Sequence, residues 1–118
     1  MSVVNVKVNH IRPEYKNLKE WMNDTNNVYI GRKGIVFVDN ERFPKENSKF
    51  CNPFKVGKDG TLDEVVEKFE KHIQEKIKSG DIKKEELIEL KGKKLGCWCK
   101  PNKCHGDVLL RLINSFTS

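Results

Sequence analysis

Nothing in this chain of 118 residues approaches the roughly 20 consecutive apolar residues needed to cross a bilayer as a helix. Met1 to His10 also lacks the charged-then-apolar order of a signal peptide. There is no internal repeat, low-complexity tract or convincing linker, and no recognisable RNA- or DNA-binding motif. These absences exclude a membrane-spanning helix and a solenoid, and they argue for one intracellular domain over residues 1–118. Acidic residues are scarce in one place: from Lys91 to Gly106 there is none.

Charge of the other sign is plentiful. The formal net charge is +6, which favours an anionic partner, although many lysine-rich proteins have none. Composition is 36% hydrophobic and 34% charged, and the apolar residues are well patterned, so the chain is expected to fold. Cys51, Cys97, Cys99 and Cys104 are even in number, which would suit disulfides in a secreted mini-protein. Without a signal peptide, reduced thiols are the better reading.

Val3, Val4, Val6 and Val8 predict a first strand, and Tyr15, Leu18, Trp21 and Met22 predict a short helix within Glu14 to Met22. Asn27 to Arg32 reads as a strand ending in a glycine loop, Gly31 to Gly34. Ile35 to Val38 reads as a short strand and Asn40 to Pro53 as a polar surface loop. Thr61 and Glu64 have capping-box spacing. Leu62, Val66, Phe69, Ile73 and Ile77 then mark one face of a long helix that Gly80 ends. A shorter helix over Lys84 to Leu90, a buried strand over Lys94 to Cys99 and a helix over Gly106 to Phe116 follow.

Helices interposed between short strands imply an α/β fold: a mostly parallel, Rossmann-like sheet of about three to five short strands covered by helices, with an irregular insertion after the second strand. Ligands of such sheets lie beyond the carboxyl ends of the strands. Two loops reach that edge, Gly31 to Gly34 and Lys100 to Gly106.

The second of these loops belongs to LGCWCKPNKCHGD, Leu95 to Asp107. Cys97, Cys99, Cys104 and His105, with Cys51 as an alternative, supply donor types that bind zinc. The spacing is not that of the common structural knuckles, so zinc is not favoured. Lysines and a helix N-terminus around Cys104 would instead stabilise a thiolate or bind phosphate. On that reading Cys104 and His105 carry any chemistry, and Asp107 caps the helix or orients a neighbour. The plainer reading makes Cys97 a small core residue, Trp98 a packing residue, and His72 part of the solvated face of the long helix.

VYIGR (Val28 to Arg32), NPF (Asn52 to Phe54), the DGT helix start (Asp59 to Thr61) and LKGKKLGCWCKPNKCHGDVLLRLI (Leu90 to Ile113) together resemble domain of unknown function family 4326. The resemblance spans residues 28–113 and implies a short domain of bacteria, phages and large DNA viruses, with no established activity. Its recurrent positions fall on Tyr29, Gly31, Arg32, Asn52, Pro53, Phe54, Cys97, Cys99, Pro101, Cys104, His105, Gly106 and Asp107. Cys51 replaces a glycine frequent before NPF, and residues 34–49 look longer than the usual connection.

The function expected is binding of a phosphate-bearing small molecule, a nucleotide or nucleoside derivative, with the Cys104 and His105 pair acting on it. Arg32 would fork onto phosphate, amides of Cys104 to Asp107 including Gly106 would complete a cradle, Asn52 would bond sugar or base, and Tyr29 or Phe54 would pack on the ring, with Gly31 and Cys99 at the site. A plain loop-bracing role competes for Arg32. The alternatives are a nucleic-acid-binding module and a zinc-stabilised structural or interaction domain. The expected location is the cytoplasm, or the host cytoplasm for a phage or viral protein, with no membrane partner.

Overall fold

The computed structural model describes residues 2–98 and 103–117. Ten elements follow one another: β1 (Ser2–Asn5), α1 (Val8–Ile11), α2 (Leu18–Asn23), β2 (Asn27–Tyr29), β3 (Val36–Val38), β4 (Glu41–Phe43), α3 (Leu62–Ser79), α4 (Lys84–Ile88), β5 (Lys94–Cys97) and α5 (His105–Thr117). The result is a small α/β domain whose three-stranded parallel sheet has the order β1-β5-β2, so the last strand lies in the middle.

Side-chain alternation along a strand assigns the two faces. On one face Val3, Val28, Ile30, Leu95 and Cys97 meet α3, α4 and α5 through Phe69, Ile73, Leu87, Leu109 and Ile113. On the other, Val4, Tyr29 and Trp98 meet Leu18 and Trp21 of α2 and Ile11 of α1. Gly96, on the central strand, makes that second face work. A Cβ there would sit 2.4 Å from Trp21 Cη2 and 2.6 Å from Val6 Cγ1, so the indole occupies the space that any other residue would fill.

The long helix forms as its sequence demands. Thr61 Oγ1 accepts from the Glu64 amide at 3.3 Å, the Glu64 carboxylate accepts from the Thr61 amide at 3.0 Å, and Gly80 ends the helix at φ 87°.

Several boundaries differ from expectation. Val8 starts α1 instead of extending β1. The second helix begins only after Asn17, whose side chain accepts from the Glu20 amide. The expected strand over Asn27 to Arg32 has its ladder only at Asn27–Tyr29, and β5 ends at Cys97, with Cys99 outside the described residues. The segment expected as a loop contains β4, which pairs antiparallel with β3 across Asp39 (φ 54°) and Asn40 (φ 65°). Positive φ at both central residues is the two-residue hairpin turn that asparagine and aspartate tolerate, and it matches strand twist. This hairpin is a sheet of its own, apart from the parallel one.

Replacing Gly96 by alanine is expected to destabilise the domain by about 1–3 kcal/mol through overpacking against Trp21. Chemical denaturation of the Gly96→Ala protein reads this directly, and an unchanged midpoint would contradict the packing described.

Candidate functional site

A cavity of about 110 Å3 opens beyond the carboxyl ends of β2 and β5. Its wall includes Gly31, Arg32, Asn52, Phe54, Cys97 and His105. The fold therefore brings the Gly31 to Gly34 loop, the NPF segment and the start of α5 to one place. Lys103, one of the lysines expected around the cysteine cluster, is also there; sequence reasoning missed Ile35, Val56, Leu62, Val65 and Val66, and it favoured packing for Trp98. Leu62, Val65 and Val66 have the three- and four-residue spacing of one helix face, which marks them as apolar wall only once α3 is known to border the site.

Arg32 is held from behind. The Tyr29 hydroxyl donates to the Arg32 carbonyl at 2.7 Å and accepts from Trp98 Nε1 at 2.8 Å. Gly31 makes this fold-back feasible, because a Cβ there would fall 2.4 Å from the Tyr29 oxygen. Burial raises the Tyr29 pKa, so the phenol stays protonated and keeps its donor. Tyr29 thus braces the loop and does not line the cavity. The Arg32 guanidinium carries a buried Nη1 with no hydrogen-bond partner among the described residues. Burial raises the pKa of Tyr29 and Cys51 and lowers that of His105; the Arg32 charge opposes burial at the first two and adds to it at the third. For Cys51 burial is the larger effect, and the thiol is pushed up.

Asn52 is spent on structure: its Nδ2 donates to the Val65 carbonyl at 3.1 Å and its Oδ1 accepts from the Phe54 amide at 2.9 Å. That pair pins NPF to α3 and presents Phe54 to the cavity. The Phe54 ring meets His72 edge-on at 5.9 Å, so His72 is a half-buried ring contact and not part of a purely solvated face.

The entrance to α5 is a capping box built on cysteine. The Cys104 sulfur accepts from the Gly106 amide at 3.4 Å, while the Asp107 carboxylate accepts from the Cys104 amide at 3.1 Å. The Asp107 amide in turn donates to the Cys104 carbonyl at 3.0 Å. Three of the four amides expected to cradle an anion are therefore occupied within the cap. Gly106 has a packing role instead, since a Cβ would lie 2.9 Å from Ile30 Cδ1 and from both Val3 methyls.

Cys104 is fully buried in the main core and is not among the residues lining the cavity. His105 Nε2 lies 2.7 Å from the Ile30 carbonyl. A carbonyl only accepts, so Nε2 carries the proton, and Nδ1 is left as an acceptor facing the Cys104 sulfur at 3.7 Å. Burial lowers the His105 pKa, the Ile30 bond opposes this and the Arg32 charge adds to it. A neutral imidazole with both nitrogens engaged is a strut between α5 and β2. Cys99 and the loop residues Lys100 and Pro101 lie outside the described residues, and among those described no three metal-ligating side chains converge.

Two outcomes follow from this geometry. In native protein, alkylation with site-resolved mass spectrometry is expected to modify half-buried Cys51 well before Cys97 and Cys104, all three reacting alike in denaturant; early modification of Cys104 would restore the nucleophile reading. Second, the unfolded chain binds a proton at His105 more readily than the folded one, so stability is complete above about pH 6.5 and falls as pH drops below it toward the depressed folded value. Denaturation midpoints between pH 7.5 and 5.5 should fall in wild type and vary less in His105→Gln; equal slopes would remove His105 as the cause.

Comparison with known proteins adds kinship without an activity. An uncharacterized 12.4 kDa protein in the nrdA-td intergenic region of Enterobacteria phage T4 is 47% identical over 60 residues, 50% of this chain and 56% of that one. Uncharacterized protein R718 of Acanthamoeba polyphaga mimivirus is 38% identical over 93 residues, 72% of this chain and 65% of that one. The chain thus spans less than two thirds of the length of these curated relatives. No solved structure matches. No helix among the described residues is long and apolar enough to cross a membrane. The family described as domain of unknown function DUF4326 matches residues 14–115, nearly the whole chain, and the protein belongs to that family.

Proposed function

We propose that the domain binds a small phosphate-bearing molecule, a nucleotide or nucleoside derivative, with its anionic group on Arg32 inside the cavity. The buried, unpartnered Nη1 carries this reading. A buried donor left unsatisfied costs about 1–3 kcal/mol, more when charged, and a guanidinium pairs bidentately with phosphate oxygens. The position agrees: ligands of helix-covered parallel sheets, Rossmann-like folds among them, gather beyond the carboxyl ends of the strands.

Size limits what is enclosed. The cavity of about 110 Å3 is well below the ~300–1,000 Å3 that surrounds a whole drug-sized ligand. It encloses one group, with the remainder of the molecule against Ile35, Val56 and Phe54 at the walls. The reading is one of binding, because the Cys104 sulfur faces the core and both His105 nitrogens are engaged within the protein.

Titration calorimetry with nucleoside monophosphates, nucleosides and inorganic phosphate tests it. Arg32→Ala is expected to lose about 1.5–3 kcal/mol of binding, roughly ten- to a hundredfold in affinity, while its folding stability holds or rises because an unpaired buried charge has gone. Undiminished phosphate binding by Arg32→Ala would sink the assignment.

A further inference from the structure

The cavity does not end at its mouth. Arg32, Ile35 and Val56 also line a second concavity with Lys33 and Lys55, and Lys33 lines a third with Gly34, Arg42, Pro44 and Lys45. The first two share Arg32, Ile35 and Val56, and the third meets the second at Lys33, so the three follow one another as a trough from the end of the sheet to the β3–β4 hairpin. Six cations line it: Arg32, Lys33, Arg42, Lys45, Lys55 and Lys103. Among the described residues no carboxylate does. In a chain with 17 acidic residues against 23 basic ones, that segregation is a local property and not an echo of net charge.

Few of these cations are neutralised. Glu41 reaches Lys45 at 3.4 Å and Asp63 reaches Lys103 at 3.4 Å, both exposed pairs of the weak kind. Lys33, Lys55 and the Arg32 guanidinium have no ion pair among the described residues. At the hairpin end stands Phe37, 67% exposed and the most exposed large hydrophobic side chain of the domain's described part. Arg42, its cross-strand partner, lays its guanidinium over that ring at 5.0 Å, and Arg42 Nη1 donates to the Gly34 carbonyl, which ties the aromatic to the trough.

Cations along a groove, with an exposed aromatic side chain beside them, are the two parts of a single-strand nucleic-acid site: the groove tracks the backbone and the ring stacks on a base. We infer that this trough binds a single strand of DNA or RNA, its backbone on Lys33, Lys55 and Arg42, a base on Phe37, and its end group at Arg32. A duplex does not suit it, because stacking on Phe37 needs an unpaired base and the terminal cavity admits one group at most. The placing of the strand's end rests on the reading of the cavity given above; the trough and its occupant do not.

Fluorescence anisotropy with a labelled mixed-sequence 12-nucleotide strand tests the inference on the whole chain. Log affinity is expected to fall against log salt with a slope of about −2 to −3, at roughly 0.7 per phosphate contacted. The double variant Lys33→Glu, Lys55→Glu should weaken binding at low salt at least about tenfold. Phe37→Ala should weaken it by about fivefold or more while leaving the salt slope unchanged. All these side chains are exposed or bound only within the hairpin, so folding is preserved, and circular dichroism checks it. No binding of the strand, equal binding of the matched duplex or of polyglutamate, or indifference to the double charge reversal would each overturn the inference. Inorganic phosphate titrated into the double variant separates the two readings: retained phosphate binding with lost strand binding leaves the cavity assignment standing, whereas strand binding without any phosphate effect at Arg32 removes the cavity assignment alone.

Discussion

The hydrogen bond from His105 Nε2 to the Ile30 carbonyl fixes how the last helix meets the sheet. It joins the first residue of α5 to the residue just beyond β2, across the end of the central strand. Everything that makes the cavity hangs from the two pieces it joins. Ile30 leads at once into Gly31 and Arg32, and His105 leads into Gly106, whose missing side chain lets α5 rest on Val3 and Ile30. The Cys104 and Asp107 cap holds the helix start in register with that bond. Residues that look reactive in the sequence are thus the fasteners of a junction. Their burial is the reason they fasten well, since a neutral imidazole away from water keeps one tautomer and one partner.

With the junction made, the arrangement concentrates positive charge where it is least compensated. Tyr29 and Trp98 form a relay that ends on the Arg32 backbone, and so the guanidinium is positioned through its main chain while its side-chain Nη1 has no acceptor among the described residues. The loop backbone is tied at the Gly31 and Arg32 carbonyls and at the Lys33 and Gly34 amides, while the guanidinium tip is not tied among the described residues. The anion site proposed above rests on that division, because a side chain tied by its own protein partners would have to break them to bind.

Much of the domain was legible from residue spacing, and the parts that were not have physical reasons. The α3 helix carries its start, its stop and its buried face in adjacent residues, so Thr61, Glu64 and Gly80 announced it without tertiary context. The alternation Cys97 in, Trp98 out followed from strand geometry alone and holds in the two core clusters. Topology points to the loops that carry Arg32 and His105, whereas Asn52 and Phe54 join them only through the NPF motif of the family resemblance. Roles within that group were not legible, because they depend on which hydrogen bonds each side chain has already made. Asn52 is occupied by Val65 and Phe54, and Cys104 by Gly106. Strand β4 was missed because Glu41 and Arg42 are polar on a two-stranded ribbon with little core to cover, so the alternation that marks a strand is weak there.

The Ser48 amide donates to the Gly31 carbonyl at 3.0 Å, and the Lys33 amide donates to the Asn47 side chain, so the excursion from 32 to 47 leaves and rejoins the domain at one neck. Its strands pair with each other and never with the parallel sheet. Apart from Val36 and Phe43, which pack against the cluster of Ile11, Leu18, Trp21 and Tyr29, residues on it can therefore change without shifting the register of the parallel strands.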